Sequence, residues 1–225
     1  MTVPPLFDPR QVPVLDTDSH LLAVPPQAMT AGAIAQRFAS GHPWTPDSLG
    51  EARMTDKPLA HAAVLIPLVD RPGGLTVLLT QRASHLSSHS GQIAFPGGKA
   101  DAQDTDAQAT ALREAEEEID LQPRSVAVLG TLAAYTSGSA YIITPVVGLL
   151  HDSFAVKANP AEVADIFEVP LAFLMNPANH HRHAVDWAGQ RRTWLSMPYT
   201  EAGTERFIWG VTAALLRNFY RFLSA

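Results

Sequence analysis

The chain has 225 residues, 46% hydrophobic and 17% charged, and no cysteine. That composition suits one folded domain with an extension, and it excludes a disordered chain, disulfides, thiolate metal sites and a cysteine nucleophile. No apolar run approaches the roughly 18 residues that span a bilayer. The start, MTVPPLFDPRQ, lacks the basic and apolar stretches of a secretory leader, so a cytoplasmic, non-membrane protein is expected.

Nine of the 18 prolines fall in the first 58 residues. Residues 1–57 read as an N-terminal extension that packs on or caps the domain, with one short helix over 30–39. The main domain then spans 58–225. HAAVLIPLV at 61–69 predicts a strand whose pairing Pro67 limits. A turn at 70–74 leads to a second strand, LTVLLTQ, at 75–81. A long loop rich in Ser, His and Gly follows to Lys99; loops of that length inside a compact domain are commonly functional. A helix is predicted over 105–119, then strands over 126–135 and 141–150 joined by a Thr-Ser-Gly-Ser turn. Residues 161–175 read as a short acidic segment followed by VPLAFLM, and 180–199 as a polar hairpin or loop. FIWGVTAALLRNFYRFL at 207–223 reads as an amphipathic terminal helix.

The net charge of −6 is concentrated. Residues 101–120 hold eight acids against the single base Arg113. Such a block reads either as a solvated helix face or as a site for a hard cation. There is no basic stripe with interleaved aromatics, so nucleic acid is not an expected partner. At about 100° per residue from Arg113, Glu117 falls near 40°, Glu114 near 100° and Glu118 near 140°. Leu112, Ala115 and Ile119 fall opposite, and Glu116 points away as ordinary surface. Three carboxylates on one face repel one another, and a divalent cation removes that cost. Just upstream, FPGGK at 95–99 brings two glycines that allow close backbone approach, and the amides of Gly97 and Gly98 with Lys99 suit a phosphate.

GGKADAQDTDAQATALREAEEEIDL resembles the Nudix box, G-x5-E-x7-R-E-U-x-E-E-x-G-U, with REAEEEIDL at 113–121 in register. LLTQRASHLSSHSGQIAFPGGK at 78–99 resembles the further signature of the coenzyme A pyrophosphatase branch, as do NPAEVADIFEVPL and FIWGVTAALL. The resemblance covers about residues 58–222. There are four departures. Asp104 takes the first acidic position, one residue further from Arg113. Ala115 replaces a bulky aliphatic residue. Asp120 replaces the late Gly. Ser87 stands where the branch has Arg, which bears on substrate more than on chemistry.

The resemblance implies an α+β fold, an α/β/α sandwich around a mixed sheet. It implies metal-dependent hydrolysis of coenzyme A or its derivatives to 4′-phosphopantetheine and adenosine 3′,5′-bisphosphate. The alternatives are another nucleoside diphosphate derivative, such as ADP-ribose or a dinucleotide, or a binding module that has lost hydrolysis. Glu114, Glu117 and Glu118 are implied ligands of Mg²⁺ or Mn²⁺, Arg113 an orienting partner and Asp104 a loop support. Arg82 is a candidate phosphate contact. Glu162 is a candidate extra ligand or general base, or else a helix N-terminal acid favoured by the dipole; Glu114 is an equal candidate for the base. A homodimer is left open.

Other features take plainer readings. HHRH at 180–183, without an acidic partner nearby, reads as surface rather than a metal site. His85 and His89 read as loop structure and Trp209 as core. Ser87, Ser88 and Ser90 lack a G-x-S-x-G elbow and form no nucleophile site.

Overall fold

The computed structural model of the protein describes residues 8–86, 89–151, 153–187 and 190–225. Its strands are β1 (Asp16–Thr17), β2 (Ala60–Val69), β3 (Thr76–Arg82), β4 (Ile93–Ala94), β5 (Gly97–Lys99), β6 (Val126–Thr131), β7 (Tyr135–Thr136), β8 (Tyr141–Leu150), β9 (Val163–Pro170), β10 (His181–Trp187), β11 (Gln190–Glu201) and β12 (Thr204–Trp209). Its α-helices are α1 (Ala31–Ser40), α2 (Ala107–Ile119), α3 (Leu171–Leu174) and α4 (Gly210–Ser224).

Among the described residues the strands form two sheets. In the larger, β2 runs parallel to β8 along its whole length, and β6 and β7 pair antiparallel with the other edge of β8. β9 runs the length of one edge of β3, so β2 and β4 share the opposite edge. β2 and β3 meet only where Leu68 and Val69 face Val77 and Thr76. Beyond that they part. β5 takes the free edge of β2, with Ala62–Val64 facing Lys99–Gly97, and β4 takes the free edge of β3. Residues 93–99 therefore wedge between two strands, and Pro96 O accepts from Leu65 N at 2.8 Å. Pro67, which has no N–H to give, sits between the stretches of β2 that pair with β5 and with β3.

Both faces of this sheet are covered, which is why its strands read as near-continuous apolar runs. Alternate residues serve opposite sides. Ala63, Leu65, Leu78 and Val146 pack against Ala111, Ala115 and Ile119 of α2. Ile66, Leu68, Val77 and Leu79 face α4 (Leu215, Leu216, Phe219), Ile34 of α1 and the second sheet. That second, antiparallel sheet has the order β1-β10-β11-β12. Arg206 on β12 ties it to the first sheet: it donates to Gln81 Oε1 (3.1 Å) and Asp165 Oδ2 (2.6 Å) and lies 4.2 Å over the Phe167 ring.

The structure departs from the sequence reading in several places. The loop before Lys99 contains β4 and β5, pairings too short to show a period. Residues 163–170 form a full strand, β9, whose register with β3 supplies the order that its mixed composition hides. The 126–135 strand breaks after Thr131 and resumes at Tyr135. Phe207–Trp209 belong to β12, and the terminal helix begins at Gly210, with φ of 60°. Trp209 is half-buried at that junction rather than in the core.

The His cluster is corrected as well. His180 is fully buried and His183 is 3% exposed. His183 Nε2 meets Ser196 Oγ at 2.8 Å. His180 Nε2 donates to Leu174 O at 2.7 Å, so its Nδ1 accepts from Arg217 Nη1 at 3.0 Å. Burial, joined by the Arg217 charge, pushes His180 down to about 4, so the ring is neutral. Arg217 also donates from Nε to Asp47 Oδ1 (3.0 Å) and lies 3.1 Å from Asp18 Oδ2, an ion pair without hydrogen-bond geometry. Burial would raise Asp18, but the Arg182 hydrogen bond and the Arg217 and Arg182 charges hold it below its ordinary value. Through these contacts, and through Asn218 Oδ1 accepting from Asp47 N, segments near residues 18 and 47 are fastened to α4. Removing one member of a buried charge set strands the others. Arg217→Met is expected to lower the unfolding free energy by about 3–5 kcal/mol in urea denaturation. A loss under about 1 kcal/mol would reduce the cluster to the worth of surface pairs.

Candidate active site

α2 is Ala- and Glu-rich and capped at both ends, which accounts for its length. Asp106 Oδ1 accepts from Ala109 N (2.8 Å) at the start. Asp120 ends the helix in the left-handed region at φ 56°, a conformation that Asp tolerates better than most residues. The helix lies across β2 and β5, so its carboxylates meet the wedge of residues 93–99.

Arg113 is the hub. Its Nε and Nη2 grip both oxygens of Asp104 (3.0 and 2.9 Å), its Nη2 also reaches Lys99 O (3.1 Å), and its Nη1 meets Glu114 (2.9 Å) and Glu117 (3.1 Å). Arg113 holds the Asp104 carboxyl well below the usual range, helped by the backbone of Asp101. Asp104 Oδ2 accepts from Asp101 N at 2.8 Å and so pins the turn before the helix. The Lys99 side chain is exposed.

Glu118 departs from the expected open carboxylate face. Its side chain is only 5% exposed, tucked beside Ala111 and Ala115 against the sheet. Its Oε2 accepts from Gly97 N at 3.2 Å, so that amide is already engaged, and Arg82 Nη1 stands off at 3.6 Å. Burial pushes Glu118 up to about 7, with Glu162 and Glu114 adding to it. Glu114 is raised too, by burial first and then by Glu117 and Glu162, against the pull of Arg113. Glu117 is half exposed. Gly98 faces Glu114 so closely that a Cβ there would overlap the carboxylate. Arg82 Nε is buried and unpaired among the described residues.

Glu162 reaches the same place from another element. It lies in a turn just before β9, where no helix begins, so the dipole reading of this residue falls away. Ala83 N donates to Glu162 O at 2.8 Å. His85 holds the neighbouring Ala161 O at 3.1 Å, and His89 Nδ1 meets Gln92 Oε1 at 2.9 Å. Ser87 and Ser88 lie outside the described residues.

The donor set is all oxygen, crowded and partly desolvated, which suits Mg²⁺ or Mn²⁺. Among the described residues, no three acidic or His side chains yet converge on one point. Arg113 Nη1 draws Glu114 and Glu117 toward itself, and both side chains would have to turn to share an ion.

A sequence model of the NUDIX domain matches residues 59–188. The chain is 46% identical over 158 residues to an uncharacterized Nudix hydrolase, NudL, of Photorhabdus laumondii, spanning 70% of this chain and 82% of that protein. It is 46% identical over 159 residues to the NudL of Yersinia enterocolitica, spanning 70% and 78%. Among solved structures it is similar to a C. elegans Ap4A hydrolase in a binary complex, with TM-score 0.46 and 20% identity over 74% of this chain and 98% of that one. The chain belongs to the Nudix hydrolase family. No helix among the described residues is long and apolar enough to cross a membrane.

Two expectations follow. The folded protein holds the Glu118 proton up to about pH 7, whereas the unfolded chain releases it near 4.5. Stability of chelator-treated protein therefore falls as pH rises through that window. Glu118→Gln should remove this slope and raise unfolding stability at pH 8 by up to about 3 kcal/mol; an unchanged or lower value would show that burial does not strain this carboxylate. Gly98→Ala should weaken Mn²⁺ binding about ten-fold or more by calorimetry, because the new methyl displaces Glu114. Unchanged affinity would remove Glu114 from the ligand set.

Proposed function

We propose that the protein hydrolyses the diphosphate bond of coenzyme A or its derivatives, giving 4′-phosphopantetheine and adenosine 3′,5′-bisphosphate. The observation that carries the diphosphatase reading is the seating of Glu114 and Glu118 against Gly98 and Gly97 of the wedge, with Arg82 beside Glu118. The coenzyme A reading rests on residues 78–99, which resemble the signature of that branch.

Glu114, Glu117 and Glu118 would hold Mg²⁺ or Mn²⁺. When bound, such a cation neutralises charge on the diphosphate and acidifies water. Arg113 pairs with Glu114 and Glu117, which would turn from it to share the ion. Arg82, a quarter exposed and 3.6 Å from Glu118, would bind a phosphate oxygen through its guanidinium. Glu162 or Glu114 takes a proton from the attacking water; the new P–O bond forms as the P–O bond to the other phosphate breaks. Ser87 in place of Arg favours a second reading, hydrolysis of ADP-ribose or a dinucleotide by the same residues.

Coenzyme A with Mg²⁺ or Mn²⁺ should yield phosphopantetheine by mass. Glu117→Gln should lose two orders of magnitude or more, about 2.7 kcal/mol in barrier. Cleavage of ADP-ribose or a dinucleotide instead would keep the chemistry and change the substrate. No cleavage of any diphosphate by folded, metal-loaded protein would favour a binding module.

A further inference from the structure

The last three carbonyls of α2 are all taken by one crossing segment. Lys157 N donates to Ile119 O (2.8 Å), Asn159 N to Glu118 O (2.9 Å) and Asn159 Nδ2 to Glu117 O (3.4 Å). Helix ends normally leave such carbonyls to water or to a left-handed cap. Here they anchor a turn. Asn159 Oδ1 accepts from Ala161 N at 3.1 Å, and Asn159 O accepts from both Glu162 N (2.9 Å) and Val163 N (2.8 Å). One residue thus grips the backbone of Glu117 and Glu118 on one side and winds the chain that presents Glu162 on the other. The same turn borders Arg82: Val163 pairs with Arg82 across β9 and β3, Ala83 N donates to Glu162 O at 2.8 Å, and Arg82 Nη1 stands 3.6 Å from Glu118.

We propose that Asn159 is a positioning residue, fixing the Glu162 carboxylate relative to Glu114 and Glu118 by fastening the 159–163 turn to the carbonyl end of α2. The proposal rests on the metal-dependent diphosphatase reading above and extends it to a residue outside the acidic cluster. A residue that orients a ligand or base in this way is commonly worth 10–100-fold in metal affinity or activity. The side chain has two separable jobs. Its Oδ1 shapes the turn, and its Nδ2 reaches the helix at the long end of hydrogen-bond range. Asp in its place keeps the first and loses the second.

The test is a double-mutant cycle between Asn159→Ala and Glu162→Gln, with Asn159→Asp as the conservative control. The readouts are Mn²⁺ affinity by calorimetry and turnover of coenzyme A or ADP-ribose. Asn159→Ala should weaken Mn²⁺ binding and lower kcat about ten-fold or more with Glu162 present, yet change either by less than about two-fold beside Glu162→Gln. Asn159→Asp, which keeps the turn contact but loses the one to the helix, should recover only part of the loss; full recovery would show that the side chain does not act through α2. Equal losses in both backgrounds would mean that Asn159 only supports the fold, and no loss in either would mean that the turn holds itself; each result overturns the proposal. If wild type cleaved no diphosphate, the Mn²⁺ cycle would still decide it, and only the functional reading would fall.

Discussion

β2 and β3 share two residue pairs and then separate, and everything at the site follows from what fills the gap. Two neighbouring strands cannot part inside a covered sheet and leave their N–H and C=O groups bare. Residues 93–99 satisfy both edges at once, through β4 on one side and β5 on the other. A segment squeezed in this way needs residues without bulk. Gly97 sits where a Cβ would strike Ala63 O, and Gly98 where one would strike Glu114. The wedge thereby brings backbone directly under the acidic face of α2.

That contact sets the electrostatics. Glu118 is drawn out of water by its place beside Ala111 and Ala115, and the single Gly97 N–H does not fully replace the lost hydration. Arg82 at 3.6 Å is a distant counter-charge. Arg113, by contrast, is fully committed, spread over Asp104, Glu114, Glu117 and Lys99 O. The cluster is therefore braced by Arg113 at its exposed end and lacks a close counter-charge at its buried end. A set of ordinary surface pairs would contribute little to stability.

The rest of the fold holds this geometry still. α4 and the second sheet close the face of β2 and β3 opposite α2, and Arg206 links β12 to the end of β3 that leads into Arg82. Residues 8–57 join the same layer through Ile34 and through the Asp18, Asp47, His180 and Arg217 cluster. A neutral His180 matters there. Its lone pair accepts from Arg217 while its N–H satisfies Leu174 O, so four segments of chain are joined without an added charge.

The sequence alone determined the features that repeat or that cluster along the chain. The apolar runs of β2, β3 and β8, the Ala/Glu helix α2 and the position of its carboxylates on one arc all follow from local periods, and the resemblance of residues 78–121 pointed to the chemistry. Tertiary structure decided what depends on neighbours distant in the chain. β4 and β5 are two and three residues long and exist because β2 and β3 part. β9 is mixed in composition and is ordered by its register with β3. The same holds for the burial of Glu118, which a helical wheel places at the edge of the apolar arc but only the sheet puts in the dark. The histidines at 180 and 183 read as surface because the acids that surround Arg217 lie more than 130 residues away in the chain. Asn159 opens a segment that carries the resemblance, but its contact to α2 is not legible there, since the carbonyls belong to a helix that ends forty residues earlier. Local sequence encodes which groups a segment can offer; long-range packing decides which of them lose water, and that loss gives a carboxylate or an imidazole its chemistry.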